Sequence, residues 1–258
     1  MPSFVKRRVA PNLRNGAARN ERTDPGDGSM STLPILRLGT VKEVAGFQEH
    51  VHSLGLNIPC DGELLRGFDS PLRGPLARGG IKIGNRIAVH PMEGWDGAAD
   101  GNPSDHTIHR WKNFGRSGGK LIWGGEAVAV SHEGRANPNQ LVIARHTREG
   151  LVGLRKALVE EHRRTTGSDE GLFIGLQLTH SGRYCRPNAH DRPEPRILYH
   201  HPILDGKLRL PRDYPILTDG EIRAIIEEFH RAARMAIELG FDFVDIKDRK
   251  STRLNSSH

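Results

Sequence analysis

Cysteine and aromatic side chains are scarce in this 258-residue chain: only Cys60 and Cys185 are present, and Phe, Trp and Tyr make up 5% of it. The two cysteines lie far apart with no C-x-x-C spacing, so neither a disulfide framework nor a thiolate metal site is encoded. Long hydrophobic runs are missing too. Nothing approaches the roughly 20 apolar residues of a membrane span, and the N-terminus lacks the apolar core of a signal peptide. A cytoplasmic chain that does not contact membranes is the expectation. Apolar residues reach only 36%, but 30 glycines and 16 prolines accompany them, a composition of loop-rich folded proteins. The length suits one large α/β domain or two small ones.

The net charge of +7 raises the possibility of a polyanionic partner, since clustered Lys and Arg bind phosphate backbones by releasing counterions. Its distribution argues otherwise. Residues 1–29 carry +3 and residues 248–258 carry +2, leaving +2 for everything between. The few aromatics do not interleave with the basic residues as a stacking platform for bases requires. A basic nucleic-acid-binding protein therefore stands only as an alternative reading, and no nucleic-acid partner is expected.

Both ends read differently from the middle. Residues 1–29 mix Arg, Asn, Gly, Pro and Asp without hydrophobic periodicity, which predicts a disordered arm or, because Met30 follows directly, translated upstream sequence. At the other end, Phe241–Lys247 reads as a strand and runs without a turn signal into DRKSTRLNSSH, Asp248–His258. That string resembles the translation of a sequencing-adapter oligonucleotide and is set aside from fold reasoning. The expected organisation is an arm at 1–29, a lead-in at 30–83, a folded portion at 84–247 and an artefactual tail at 248–258.

In the lead-in, Thr40 and Glu43 are spaced as a capping box, Val44, Phe47, Val51 and Leu54 form one stripe, and Gly55 stops the pattern, predicting a short amphipathic helix. Residues 56–80 are irregular. Thereafter β-branched apolar runs alternate with helical patterns, the signature of βα units around a parallel sheet. The predicted strands are Ile87–His90, KLIWGGEA, Gly171–Leu178 and Phe243–Ile246. Between them fall a helix from about Ser104, with Ile108, Trp111 and Phe114 inward, and another over Thr147–Arg163, with Leu151, Leu154 and Leu158 inward. A third is opened by a Thr218/Glu221 capping box, with Ile222, Ile225, Ile226, Phe229 and Ala233 buried and Gly240 closing it. The Arg183–Pro215 stretch holds six prolines, too many for a regular element and suited to a lid.

In parallel α/β folds the chemistry gathers where strands end. Here those ends read HPMEGWDG, GGEAVAV, QLTHSGR and DIK. Each has an ordinary explanation alone: Pro91 stops a strand, Glu126 is a solvated loop acid, Gln177 and His180 are satisfied polar groups, Lys247 is surface charge. Their joint occurrence on four successive strands points to a site. His50, His52, His200 and His201 lack a carboxylate or Cys at ligand spacing, so no metal is expected.

In order and spacing, the segments N-R-I-x-x-x-P-M, G-G-K-L-I-x-x-E-A, Q-L-x-H-x-G-R and L-T-x-x-E-I leading to G-F-D-x-V-D-I resemble the old yellow enzyme family of FMN-dependent ene reductases and NADH:flavin oxidoreductases over roughly Gly84–Lys247. The resemblance implies an α/β fold, an eight-stranded (β/α)8 TIM barrel truncated to about its first four strands. It implies FMN as cofactor, NADH or NADPH as co-substrate, and hydride transfer through the flavin to an activated alkene, a small-molecule substrate. Pro91, Met92 and Glu93 are then expected along the isoalloxazine ring, Ala127 against it, and Gln177 on its pyrimidine edge, where an amide supplies donor and acceptor together. Trp95 and Lys247 fall where family members reach the substrate, Lys247 in place of a His that grips its carbonyl. Glu93 replaces the commoner Cys or Thr and would disfavour reduced flavin if ionised. Half a barrel on its own leaves unpaired strand edges and bare apolar faces, so a second alternative is a non-functional truncated chain, poorly soluble and weak in FMN binding.

Overall fold

A computed structural model describes residues 36–63 and 65–247. Residues 1–29, Met30 and the 248–258 tail lie outside the described residues. The chain separates into two compact units, divided between Glu63 and Leu64.

The first unit holds helix α1, Val44–Ser53. Val51 is its buried residue, with Val44, Phe47 and Leu54 partly covered, so the apolar stripe is the inward face. The predicted cap is not formed. Thr40 ends a short 3-10 turn and its hydroxyl donates to the Arg37 carbonyl, leaving Glu43 at the N-cap without a side-chain cap hydrogen bond. Gly55 takes φ +67°, the left-handed conformation that closes helices cheaply only with glycine.

The second unit begins with an antiparallel pair, β1 Leu76–Arg78 and β2 Ile81–Ile83. Then come β3 Ala88–Val89, α2 Asp105–Arg116, β4 Leu121–Ile122, β5 Ala127–Ala129, α3 Arg148–Thr166, β6 Phe173–Thr179, α4 Pro202–Leu208, α5 Asp219–Glu238 and β7 Phe243–Ile246. All pairings among β3 to β7 are parallel: β3 with β4, β4 with the start of β6, β5 with its end, and β7 with its middle. The result is a curled parallel half-barrel wrapped by helices, the βα architecture the alternating pattern predicts. In β6 every residue from Ile174 to Thr179 is buried, as a central strand covered on both faces must be.

One predicted strand is two. KLIWGGEA breaks at Gly124 and Gly125, which adopt φ +79° and +35°. A Cβ on Gly124 would come within 2.8 Å of the Gln177 backbone nitrogen and 3.3 Å of Pro91 Cβ, so the break and the close approach both require glycine. Beyond it, β5 resumes pairing with Ala127 opposite Gln177.

The core is built from Trp111, Ile122, Leu151, Leu154, Leu158, Ile174 and their neighbours. Helices α2 and α3 approach closely at Gly115, where a Cβ would lie 2.5 Å from the Leu158 carbonyl oxygen. Helix α2 starts with a capping box formed by Ser104 and Thr107, and α5 with the predicted Thr218/Glu221 box. The α5 stripe is shifted from expectation: Ala232 and Ala236 are its buried residues, while Ile226 is 47% exposed. The proline-rich stretch also carries a regular element after all, because Pro202 stands in the first turn of α4, where its missing N–H costs nothing. Arg183 anchors that stretch, pairing with Asp205 and donating to the Tyr199 carbonyl at 2.6 Å.

Candidate functional site at the strand ends

The C-terminal ends of the parallel strands face one region, and the residues singled out in sequence meet there through a closed series of contacts. The Ala127 N–H donates to the Met92 carbonyl at 3.4 Å. Ala127 is the register partner of Gln177, and Gln177 is in turn the partner of Asp245 across β6 and β7. The Gln177 Nε2 donates to Asp245 Oδ2 at 2.7 Å. Two residues on, Lys247 Nζ donates to Glu93 Oε1 at 2.8 Å, returning to the loop after β3.

Within this circuit the residues differ in access. Met92 is 66% exposed; Trp95, three residues on in the same loop and outside the circuit, is 62% exposed. Ala127 is completely buried and Gln177 nearly so, so Ala127 backs the site from beneath. Glu93 and Lys247 are partly buried. Lys247 is therefore one half of an ion pair, not an isolated surface charge.

The ladder that brings these residues together is specified locally. The Asp242 carboxylate accepts from Ile174 N at 2.8 Å while its own N–H donates to the Ile174 carbonyl at 2.8 Å, locking β7 in register before it begins. The Lys247 N–H continues that ladder to Leu178 O at 2.9 Å.

Beneath the β3 loop lies a charged cluster that sequence reasoning did not foresee. Glu126 is fully buried, so it is not the solvated loop acid its position suggested. Its Oε1 accepts from Gly94 N at 2.6 Å and its Oε2 from Arg110 Nη2 at 2.5 Å. The same guanidinium bonds Asp96, through Nε at 3.0 Å and Nη2 at 2.8 Å, and the Thr107 hydroxyl also donates to Asp96 Oδ1, at 3.2 Å. Burial pushes the Glu126 carboxyl up, more than Arg110 and the Gly94 N–H pull it down. Burial acts upward on Asp96 as well, but there Arg110 and Thr107 outweigh it and hold the carboxyl below its ordinary range. For Arg110, burial is overcome by the two carboxylates, so its pKa rises and it stays charged. No signal in a single sequence marks Arg110, which occupies one position of an amphipathic helix. Asp245 was legible in principle, since strand alternation puts it two residues before Lys247 on the same face.

His180, at the end of β6, is no satisfied polar group either. Its Nδ1 accepts from Gly182 N at 3.2 Å, but its Nε2 is buried and finds no partner among the described residues. Burial depresses its pKa, against an opposing pull from Glu133, and Arg196 adds to the depression. Elsewhere, His201 accepts from Leu204 N at the start of α4 and His200 pairs with Asp205, structural roles both. The basic ends behind the nucleic-acid reading lie outside the described residues.

A parallel half-barrel whose strand ends bring together an exposed Met, a buried amide and an ion pair defines a βα-barrel fold, in which loops on a rigid frame can carry a site. The chain belongs to the NADH:flavin oxidoreductase / NADH oxidase family, whose pattern matches residues 71–252. It is 31% identical over 184 residues to an NADPH dehydrogenase of Geobacillus sp. (strain WCH70), covering 69% of this chain and 48% of that protein. To a probable NADH-dependent flavin oxidoreductase, YqiG of Bacillus subtilis (strain 168), it is 30% identical over 173 residues, covering 66% and 41%. Among solved structures, the old yellow enzyme of Pichia sp. AKU4542 superposes with a TM-score of 0.52 at 24% identity, over 69% of this chain and 46% of that one, which establishes a shared fold. The chain thus spans about half the length of the curated relatives it matches. Family membership implies FMN as cofactor.

Proposed function

We propose that this chain supplies the flavin bed of an FMN-dependent oxidoreductase that takes hydride from NADH or NADPH and passes it to the β-carbon of an activated alkene. The observation that carries the reading is the convergence of Met92, Ala127 and Gln177: a hydrogen bond joins the first two and strand register the last two. The residues fit the group. Pro91, Met92 and Glu93 line the bed, Ala127 backs it with a side chain small enough for close approach, and Gln177 meets the pyrimidine edge. The Gln177 amide nitrogen is held by Asp245, which orients the amide so that its oxygen is presented as the acceptor. When bound, FMN supplies the hydride chemistry.

The remaining residues shape what surrounds it. Trp95, exposed in the loop that carries Met92 and Glu93, offers an indole face to a conjugated substrate. In this reading Lys247 donates to a substrate carbonyl while sharing its ammonium with Glu93, which also offsets the anionic character of Glu93 toward reduced flavin. Anaerobic titration of the protein, extended to the length of its relatives, tests the reading. A bound yellow chromophore bleached by NADH or NADPH and restored by an activated alkene is expected; absence of a bound flavin overturns it.

A further inference from the structure

We propose that Arg110, on α2 and outside the flavin bed itself, is the positioning residue that fixes the backbone of the Met92–Asp96 segment from beneath. This rests on the proposed function only where it concerns flavin; the backbone claim stands on the geometry. One guanidinium engages two carboxylates on separate pieces of chain. It reaches Asp96, at the far end of the segment, through Nε and Nη2, and Glu126, in the β4–β5 break, through Nη2. Glu126 in turn accepts the Gly94 N–H at 2.6 Å, so the middle of the segment hangs from the same charge.

The fit leaves no slack. A Cβ on Gly94 would run into both the Arg110 guanidinium and the Glu126 carboxylate, so the backbone at Gly94 lies directly on the ion pair. Arg110 Nη1 further contacts the Gly125 carbonyl, at 3.4 Å, tying in the glycine break that lets β5 pair with β6. A planar fork with five donors can serve two carboxylates and a carbonyl together, whereas a lysine ammonium cannot match that geometry. Glu126 has no solvent exposure, so the carboxylate that holds Gly94 depends on Arg110 for its counter-charge.

The segment so held contains Met92, Glu93 and Trp95, all assigned above to the ring or substrate. Arg110 touches neither, and acts through Gly94 and Asp96.

Hydrogen–deuterium exchange of the 258-residue chain tests this, followed at the Gly94 amide and, as an internal control, along α3. Arg110→Met removes the fork but strands a buried carboxylate, so the informative variant is Arg110→Met combined with Glu126→Gln, compared with Glu126→Gln alone; Asp96, which also loses its ion pair, is partly exposed and keeps the Thr107 hydroxyl. Gly94 exchange is expected to rise about tenfold or more, the scale of one lost charge-assisted hydrogen bond, with α3 unchanged; Arg110→Lys is expected to restore part of the protection. Unchanged Gly94 exchange in the double variant overturns the proposal, and so does full protection in Arg110→Lys. FMN titration of wild type and variant, both extended to the length of the relatives, separates the two claims. If wild type fails to bind FMN while Gly94 is released in the variant, the flavin reading falls and the positioning role stands. If wild type binds and the variant with released Gly94 binds equally well, the segment does not form the bed and the positioning of the site by Arg110 is refuted.

Discussion

Lys247 Nζ stands 2.8 Å from Glu93 Oε1, so the last described residue of the β7 ladder is joined to the loop that leaves β3, 154 positions earlier. The pair spans the mouth of the site. Glu93→Gln keeps a hydrogen bond to Lys247 and, at this partly exposed position, is expected to cost about 1 kcal/mol in chemical denaturation. Lys247→Met removes the ammonium that faces the Glu93 carboxylate beside the proposed ring. In the flavin-loaded protein the midpoint potential is expected to fall by about 30 mV, the two-electron equivalent of 1.4 kcal/mol. An unchanged or raised potential in spectroelectrochemistry speaks against Glu93 lying near the flavin.

Gln177 offers a second test of the bed. Gln177→Leu preserves volume and β6 burial but removes the amide and frees Asp245 of its donor. FMN affinity, followed by flavin fluorescence quenching, is expected to weaken about tenfold, the value of one hydrogen bond to a ligand. Unaltered affinity places the pyrimidine edge elsewhere.

Helix packing makes a prediction independent of function. A methyl group at Gly115 meets the Leu158 carbonyl at 2.5 Å and the His162 backbone nitrogen at 3.0 Å, atoms that cannot move without parting α2 from α3. Gly115→Ala is expected to destabilise by about 3 kcal/mol. Gly153→Ala, on α3 with nothing within 4 Å, is expected to stabilise by about 0.5–1 kcal/mol through helix propensity. Urea midpoints of the two variants should move in opposite directions.

Acid sensitivity follows from two histidines. His162 is fully buried; burial lowers its pKa and Lys120 adds to the effect, against the Gly115 carbonyl and Asp169, which raise it. His180 is lowered mainly by burial. The native state therefore binds fewer protons than the unfolded chain below the ordinary imidazole value of about 6.5. The stability these groups contribute is complete above that value and declines as pH falls through it toward their lowered native values. Urea midpoints measured from pH 7.5 to pH 5 are expected to drop, and replacing His162 with Gln should flatten part of the slope. A slope untouched by that replacement assigns the acid sensitivity to other groups.

Much of the fold was legible because periodicity reports burial directly. Leu151, Leu154 and Leu158 had to face inward, and all three are completely buried; Phe243–Ile246 was bounded as observed. The departures share a cause. Thr40 and Glu43 carry capping-box spacing, but the chain before α1 turns as a 3-10 segment, and spacing says nothing of backbone direction. KLIWGGEA has the composition of one strand, yet contact with Gln177 and Pro91 forces its glycines into a break. Ile226 fits the α5 stripe but stays half-exposed, because what an apolar helix face meets depends on which elements come to lie over it.

By itself the sequence determined the alternation of strands and helices and, through four ordered motifs, the family. These are local or near-local properties, carried by side-chain period, caps and short spacings. Only tertiary structure decided that Lys247 pairs with Glu93, that Gln177 is held by Asp245, and that Glu126 is buried on Arg110 rather than bathed in water. Each of those contacts joins residues at least 16 positions apart. Whether two distant charges meet depends on strand register and helix packing summed over the whole unit, quantities that no short stretch of chain contains.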